Sequence, residues 1–232
     1  MKFFLDTEFI EDGKTIDLVS IGLVCEDGSS YYAISTDFDP SKADPWVVEN
    51  VLKKLPPIYW DESDNPENLI TQNWEPYRVN KGDPNLTEEE KKDILAWRSR
   101  EQIAFEVVGG IKGRCVNKSG WSVEETVDIF HDKDRLWKLE LDKEPEIWAY
   151  YADYDWVVLC QLFGTMMDLP KGFPMYCRDI KQECDRLGNP ELPAQGEDEH
   201  SAIADAFWNK KAWEFLRDFE AAQGIQESLN LI

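Results

Sequence analysis

The chain has 232 residues, 42% of them hydrophobic, enough for one α/β domain with elaborations or for a domain with a small lobe. Its 47 acidic residues outnumber 25 basic ones, and the formal charge of −22 is spread along the chain, which argues against non-specific adhesion to nucleic acid or anionic membrane and weighs against a nuclease. The five cysteines form no C-x-x-C pair and fit a reduced, cytoplasmic protein with mostly packed thiols; no signal-peptide pattern or membrane-length apolar run is found, so no membrane partner is expected.

Phe3–Leu5, Ile16–Val24 and Tyr31–Ile34 read as short strands separated by Glu11-Asp12-Gly13 and Glu26-Asp27-Gly28 turns, an antiparallel meander. Asp44-Pro45-Trp46 opens a short helix through Leu52 and Leu55, stopped by Pro56-Pro57. Residues 58–86 lack a lasting period and read as an inserted loop, and an insertion is expected at about 58–93. Thr87 with Glu90 forms a capping box, and Ser99 with Gln102 starts a further helix through Ile103 and Val107 that Gly109 and Gly110 end. A second insertion covers about 112–144.

Glu146–Tyr151 then reads as a buried strand, Tyr154–Phe163 as a helix, Met175–Cys177 as a strand, Ile180–Leu187 as a helix closed by Gly188, and Ser201–Phe219 as a long last helix. A meander followed by alternating helices and strands is an α/β order that suits a ribonuclease H-like mixed sheet with flanking helices, a single domain over residues 1–232.

The stretch FFLDTEF places Asp6 and Glu8 one residue apart, on the same face of a strand, where like charges repel. Asp155 follows a buried strand at a helix start, and His200 stands at the entry of the last helix with Asp205 a little over one turn inside it. A five-residue offset does not put those two on one helical face, although a loop and a helix can both point into one cleft. Singly, each has a plainer reading: a solvated D-x-E pair, a helix cap for Asp155, a surface or capping histidine. Together they form a metal-site constellation. Divalent cations would remove the repulsion and orient a scissile phosphate, and a histidine that titrates near neutrality can take the proton of an attacking water.

The order D-x-E, Y-D, H-x-x-x-x-D resembles the DEDDh class of 3′-to-5′ exonucleases, which includes proofreading exonucleases and ribonuclease T. The segments LDTEFIEDGKTIDLVSIGLV, YYAISTDFDP, PWVVENVLKKLPP, WRSREQI, WAYYADYDWVVLCQLFG and HSAIADA resemble more closely the small bacterial and phage 3′-exoribonuclease AS family. The resemblance implies Asp6, Glu8, Asp155 and Asp205 as ligands of two Mg²⁺ or Mn²⁺ ions and His200 as general base. The long stretches 58–93 and 112–144 depart from compact family members.

The expected activity is a 3′-to-5′ exoribonuclease releasing nucleoside 5′-monophosphates from a single-stranded RNA 3′ end, with a homo-oligomer open. A DNA-directed or dual-specificity exonuclease is the nearest alternative, and a non-catalytic nucleic-acid or protein-binding module is the alternative of another class. Phe9 and Tyr154 could stack on the terminal base or simply pack in the core. Arg98, Arg100, Lys112 and Arg114 could track phosphates or line a solvated helix face. His131 reads as a surface residue, and most of the ten tryptophans as packing residues.

Overall fold

The computed structural model describes residues 1–56, 58–60, 78–80, 84–196 and 198–230. Strand β1 covers Lys2–Glu11 and carries both Asp6 and Glu8. Its alternation decides which layer each side chain meets. Phe3 and Leu5 enter a core built with Ile103, Val107, Trp156 and Leu159, whereas Phe4 enters one built with Trp148, Ile180, Ala206 and Leu216. Even positions of β1 therefore share the second face with Asp6 and Glu8, and Thr7 shares the first.

After a turn in which Asp12 accepts from the amides of Lys14 and Thr15, β2 (Ile16–Cys25) returns antiparallel to β1, and β3 (Ser30–Ser35) pairs antiparallel with β2. Helix α1 (Pro45–Asn50) begins at Asp44, whose carboxylate caps the Val47 amide. β4 (Ile58–Trp60) and β5 (Arg78–Asn80) form a separate parallel pair. The rest of the expected loop up to residue 83 lies outside the described residues.

Both expected capping boxes form, Thr87–Glu90 opening α2 (Glu88–Ala96) and Ser99–Gln102 opening α3 (Arg100–Cys115), with the two-residue strand β6 (Trp97–Arg98) between them. Helices α4 (Val123–His131) and α5 (Lys133–Lys138) occupy much of 112–144. β7 (Glu146–Ala149) runs parallel to β1 and leads to α6 (Asp153–Gln161); β8 (Arg178–Asp179) leads to α7 (Ile180–Arg186), and α8 (Ala202–Asn230) follows. The main sheet has the order β6-β3-β2-β1-β7-β8, a mixed sheet flanked by helices and consistent with a ribonuclease H-like arrangement. Among the described residues, no helix is long and apolar enough to cross a membrane.

Two expectations are corrected. Gly109 and Gly110 do not end α3, which runs on to Cys115. A glycine inside a helix costs about 1 kcal/mol relative to alanine, and burial of Ile103, Val107, Val108 and Ile111 outweighs it. The strand expected at Met175–Cys177 forms instead at Arg178–Asp179, where Trp148 and Ala149 supply its parallel partners.

Candidate active site

Three segments of chain meet at the carboxyl end of β1. The β1–β7 ladder stops at Phe4, so the amide of Thr7 has no strand partner on that side. Asp155, in the first turn of α6, takes that place: one carboxylate oxygen accepts from the Thr7 amide at 2.8 Å and from the Thr7 hydroxyl at 2.7 Å. The N-cap of α6 is Ala152, so Asp155 is not the cap that its position suggested.

On the other face, α8 lies against β1 and β2. Asn209, fully buried, donates its side-chain amide to the Leu5 carbonyl at 2.8 Å, tying the helix to the residue before Asp6. Gly22, the ladder partner of Asp6, lets the first turn of α8 approach until its backbone covers the strand. That placement brings Asp205 to the D-x-E pair. Carboxylate oxygens of Asp6, Glu8 and Asp205 all lie within 4.8 Å of one another.

Like charges this close need an opposite charge or a proton. Among the described residues, no lysine or arginine forms an ion pair with these three acids or with Asp155. Burial, and then the charges of Asp155, Glu8 and Asp205, hold the Asp6 carboxyl well above the usual range. Burial with Asp205 and Asp155 pushes Glu8 up to about 8, against a lowering by Lys54. Asp155 is raised to about 6 by burial, opposed by its bonds from Thr7. Asp205 is raised by burial, opposed by hydrogen bonds from the His200 amide at 2.9 Å and Gln195 at 3.0 Å. The cluster is thus a set of hard oxygen donors that a divalent cation would neutralise.

His200 precedes α8 in a left-handed conformation, φ 66°, unusual for a non-glycine residue. Its ring meets Trp46 of α1 nearly at right angles, with centroids 4.8 Å apart. All five residues of the sequence constellation line one cleft of about 390 Å³, together with Thr7, Phe9, Tyr150, Tyr151, Tyr154, Gln195, Glu199, Trp208 and Asn209. Phe9, turned by a bulge in the ladder after Glu8, stacks on Tyr154 with centroids 5.4 Å apart. Phe9 packs against the core, and Tyr154 remains 43% exposed, so its ring is reachable from the cleft.

The basic interval is spent within the protein. Arg98 pairs with Glu106, Arg100 with Asp17, Arg114 with Asp27 and Ser29, and buried Lys112 donates to the carbonyls of Trp137 and Leu139. His131 is exposed, as expected. Thr7, Gln195, Asn209, Gly22 and Trp46 carry no motif that would single them out. Thr7 alone had a signal, its place between the two acids of the D-x-E.

Comparison with known proteins adds independent support. Residues 1–217 match the model of the 3′-5′ exoribonuclease Rv2179c-like domain. The chain belongs to this exoribonuclease domain family. Relatives include 3′-5′ exoribonuclease Rv2179c of Mycobacterium tuberculosis strain H37Rv and 3′-5′ exoribonuclease MT2234.1 of strain CDC 1551, each 34% identical over 206 residues, 89% of this chain and 87% of the relative. The Rv2179c-like match spans β1, β7, α6 and the first half of α8, the elements that carry all four acids and, before α8, the histidine.

Proposed function

We propose that this protein is a divalent-cation-dependent 3′-to-5′ exoribonuclease that works at the 3′ end of single-stranded RNA and releases nucleoside 5′-monophosphates. The observation that carries the reading is the convergence of Asp6, Glu8 and Asp205 with no lysine or arginine ion-paired to them among the described residues, in a chain of an exoribonuclease domain family. The activity for which the relatives are named supports the substrate and direction, as does the resemblance to the exoribonuclease AS family. The free cysteines, four buried and one partly buried, support a reducing, cytoplasmic setting.

Carboxylates without a thiolate or histidine cluster suit Mg²⁺ or Mn²⁺. Asp6, Glu8 and Asp205 would hold one cation, and Asp6 with Asp155 a second; the cations would supply positive charge to the scissile phosphate and the leaving oxygen. Thr7 keeps one oxygen of Asp155 engaged and so fixes the carboxylate. His200 accepts the proton of the attacking water at an imidazole nitrogen. The stacked Phe9–Tyr154 pair offers the terminal base an aromatic surface, a contact worth about 1–3 kcal/mol per base and tolerant of sequence. With so acidic a chain, affinity comes from these local contacts at a strand end rather than from a broad basic groove.

Digestion of matched RNA and DNA, labelled at the 3′ or the 5′ end, with Mg²⁺, Mn²⁺ or EDTA, tests the reading. RNA should lose a 3′ label first, as a mononucleotide, and EDTA should stop the reaction. Equal rates on DNA would move the assignment to a dual-specificity exonuclease. Cleavage of a circular RNA, or activity in excess EDTA, would overturn it.

A further inference from the structure

His200 has an unusual support. Among the described residues, no hydrogen bond between its imidazole and a carboxylate or a carbonyl is found. The backbone amide of His200 is committed to Asp205. Two contacts from one segment, residues 46–54, supply the remaining restraint. The Trp46 ring meets the imidazole at an interplanar angle of 78°, and Lys54 donates its ammonium to the carbonyl of Glu199, the residue before His200, at 2.7 Å.

That segment is itself held rigidly. The Asp44 carboxylate caps α1 at the Val47 amide, 2.8 Å away, and Pro45 fixes the first turn. Val51 and Leu52 are buried against Ile10 and Val19 of the sheet. Trp46, in the first turn of this short helix, stays 53% exposed, and its ring meets the imidazole there. Perpendicular aromatic pairs are favoured geometries, and an indole also attracts a neighbouring imidazole once that ring carries a proton.

The geometry points to Trp46 and Lys54 as positioning residues for His200: Trp46 sets the plane of the imidazole and Lys54 fixes the peptide that carries it. This inference rests on the reading of His200 as general base. Neither residue need touch the reacting atoms. A fixed base lies within reach of its proton in a larger fraction of bound complexes, so the contribution appears in kcat rather than in KM.

The test is a double-mutant cycle with an independent spectroscopic arm. Trp46→Ala should lower kcat about 3- to 10-fold, the range implied by one aromatic pair, with KM little changed; Trp46→Phe should recover most of the loss. Lys54→Met should act in the same direction and also cost nothing more in a His200→Ala background, whereas a loss that persists there would come from its charge near Glu8 and overturn its positioning role. In a His200→Ala background, Trp46→Ala should cost nothing more. The chain has only two histidines, so its imidazole proton resonances are few; Trp46→Ala should shift the set that His200→Ala removes and leave that of His131 in place. A KM increase that persists in the His200→Ala background would overturn the proposal and make Trp46 a substrate contact, and an unmoved His200 resonance would also overturn it. If His200→Ala alone keeps near-normal turnover, the general-base reading fails, and the resonance shift still reports whether the Trp46 contact exists.

Discussion

Gly22 and Ala202 touch backbone to backbone: a Cβ on the glycine would run into the Ala202 carbonyl and stand 2.7 Å from Cα of Ile203. Gly22 is also the ladder partner of Asp6, so the same bare α-carbon that seats α8 lies beside the acid that α8 must reach. Gly22→Ala should push the first turn of α8 outward, with a stability loss of about 1–3 kcal/mol typical of overpacking. Because Asp205 rides on that turn and His200 leads into it, activity should fall further than the folded fraction does. Comparing the melting temperature with turnover per folded molecule checks this; a fall in activity that only tracks unfolding would refute it.

Asp6 lies at the centre of the acidic cluster. Asp6→Asn should abolish hydrolysis and weaken Mg²⁺ or Mn²⁺ binding, and in EDTA the variant should melt at a higher temperature than the wild type, since a buried repulsion is removed. Calorimetric cation titration beside a melting curve reads both. Unchanged cation affinity would show that the acids serve another purpose.

The raised Glu8 carboxyl ties stability to pH. Its value rises from 4.5 to about 8 on folding, so between those limits the folded chain keeps a proton that the unfolded chain has lost. Stability of the metal-free protein must then decline as pH rises through that window. General repulsion in so acidic a chain has the same sign, and Glu8→Gln separates the two by flattening the slope. Adding Mn²⁺ should stabilise the wild type most at the alkaline end, where the carboxylates have already lost their protons. Melting curves in EDTA from about pH 5 to about pH 8 decide it: parallel slopes for wild type and variant would contradict the assignment.

His200→Ala should lose about 10²–10⁴-fold in turnover, the usual worth of a positioned general base, while RNA and cation affinity change little. Single-turnover rates with saturating RNA isolate that step. Near-normal rates would leave the histidine as a helix-entry residue.

Much of this site was legible before any coordinates. Asp6 and Glu8 share a face because β1 alternates, and the order of strands and helices brings Asp155 and Asp205 to its end. Capping boxes at Thr87 and Ser99 mark real helix starts because their side chains satisfy amides that the helix leaves open. What sequence could not reveal depends on long-range packing. Gly109 and Gly110 look like a stop, yet buried neighbours carry α3 through them. Nothing local distinguishes Gln195 or Asn209 from other polar residues, since their partners Asp205 and Leu5 are set by the tertiary fold. The basic interval at 98–114 resembled a phosphate track until its partners were known.

The bond from Asn209 to Leu5 joins residues 204 positions apart. Asp6 and Glu8 are therefore synthesised long before Asp205. A chain cut short before Ala202 would carry three of the four acids, Asp6, Glu8 and Asp155, but would lack Asp205 and the helix that packs against β1. Copies terminated before α8 should therefore be inactive. The proposed activity should require α8 to fold back onto β1.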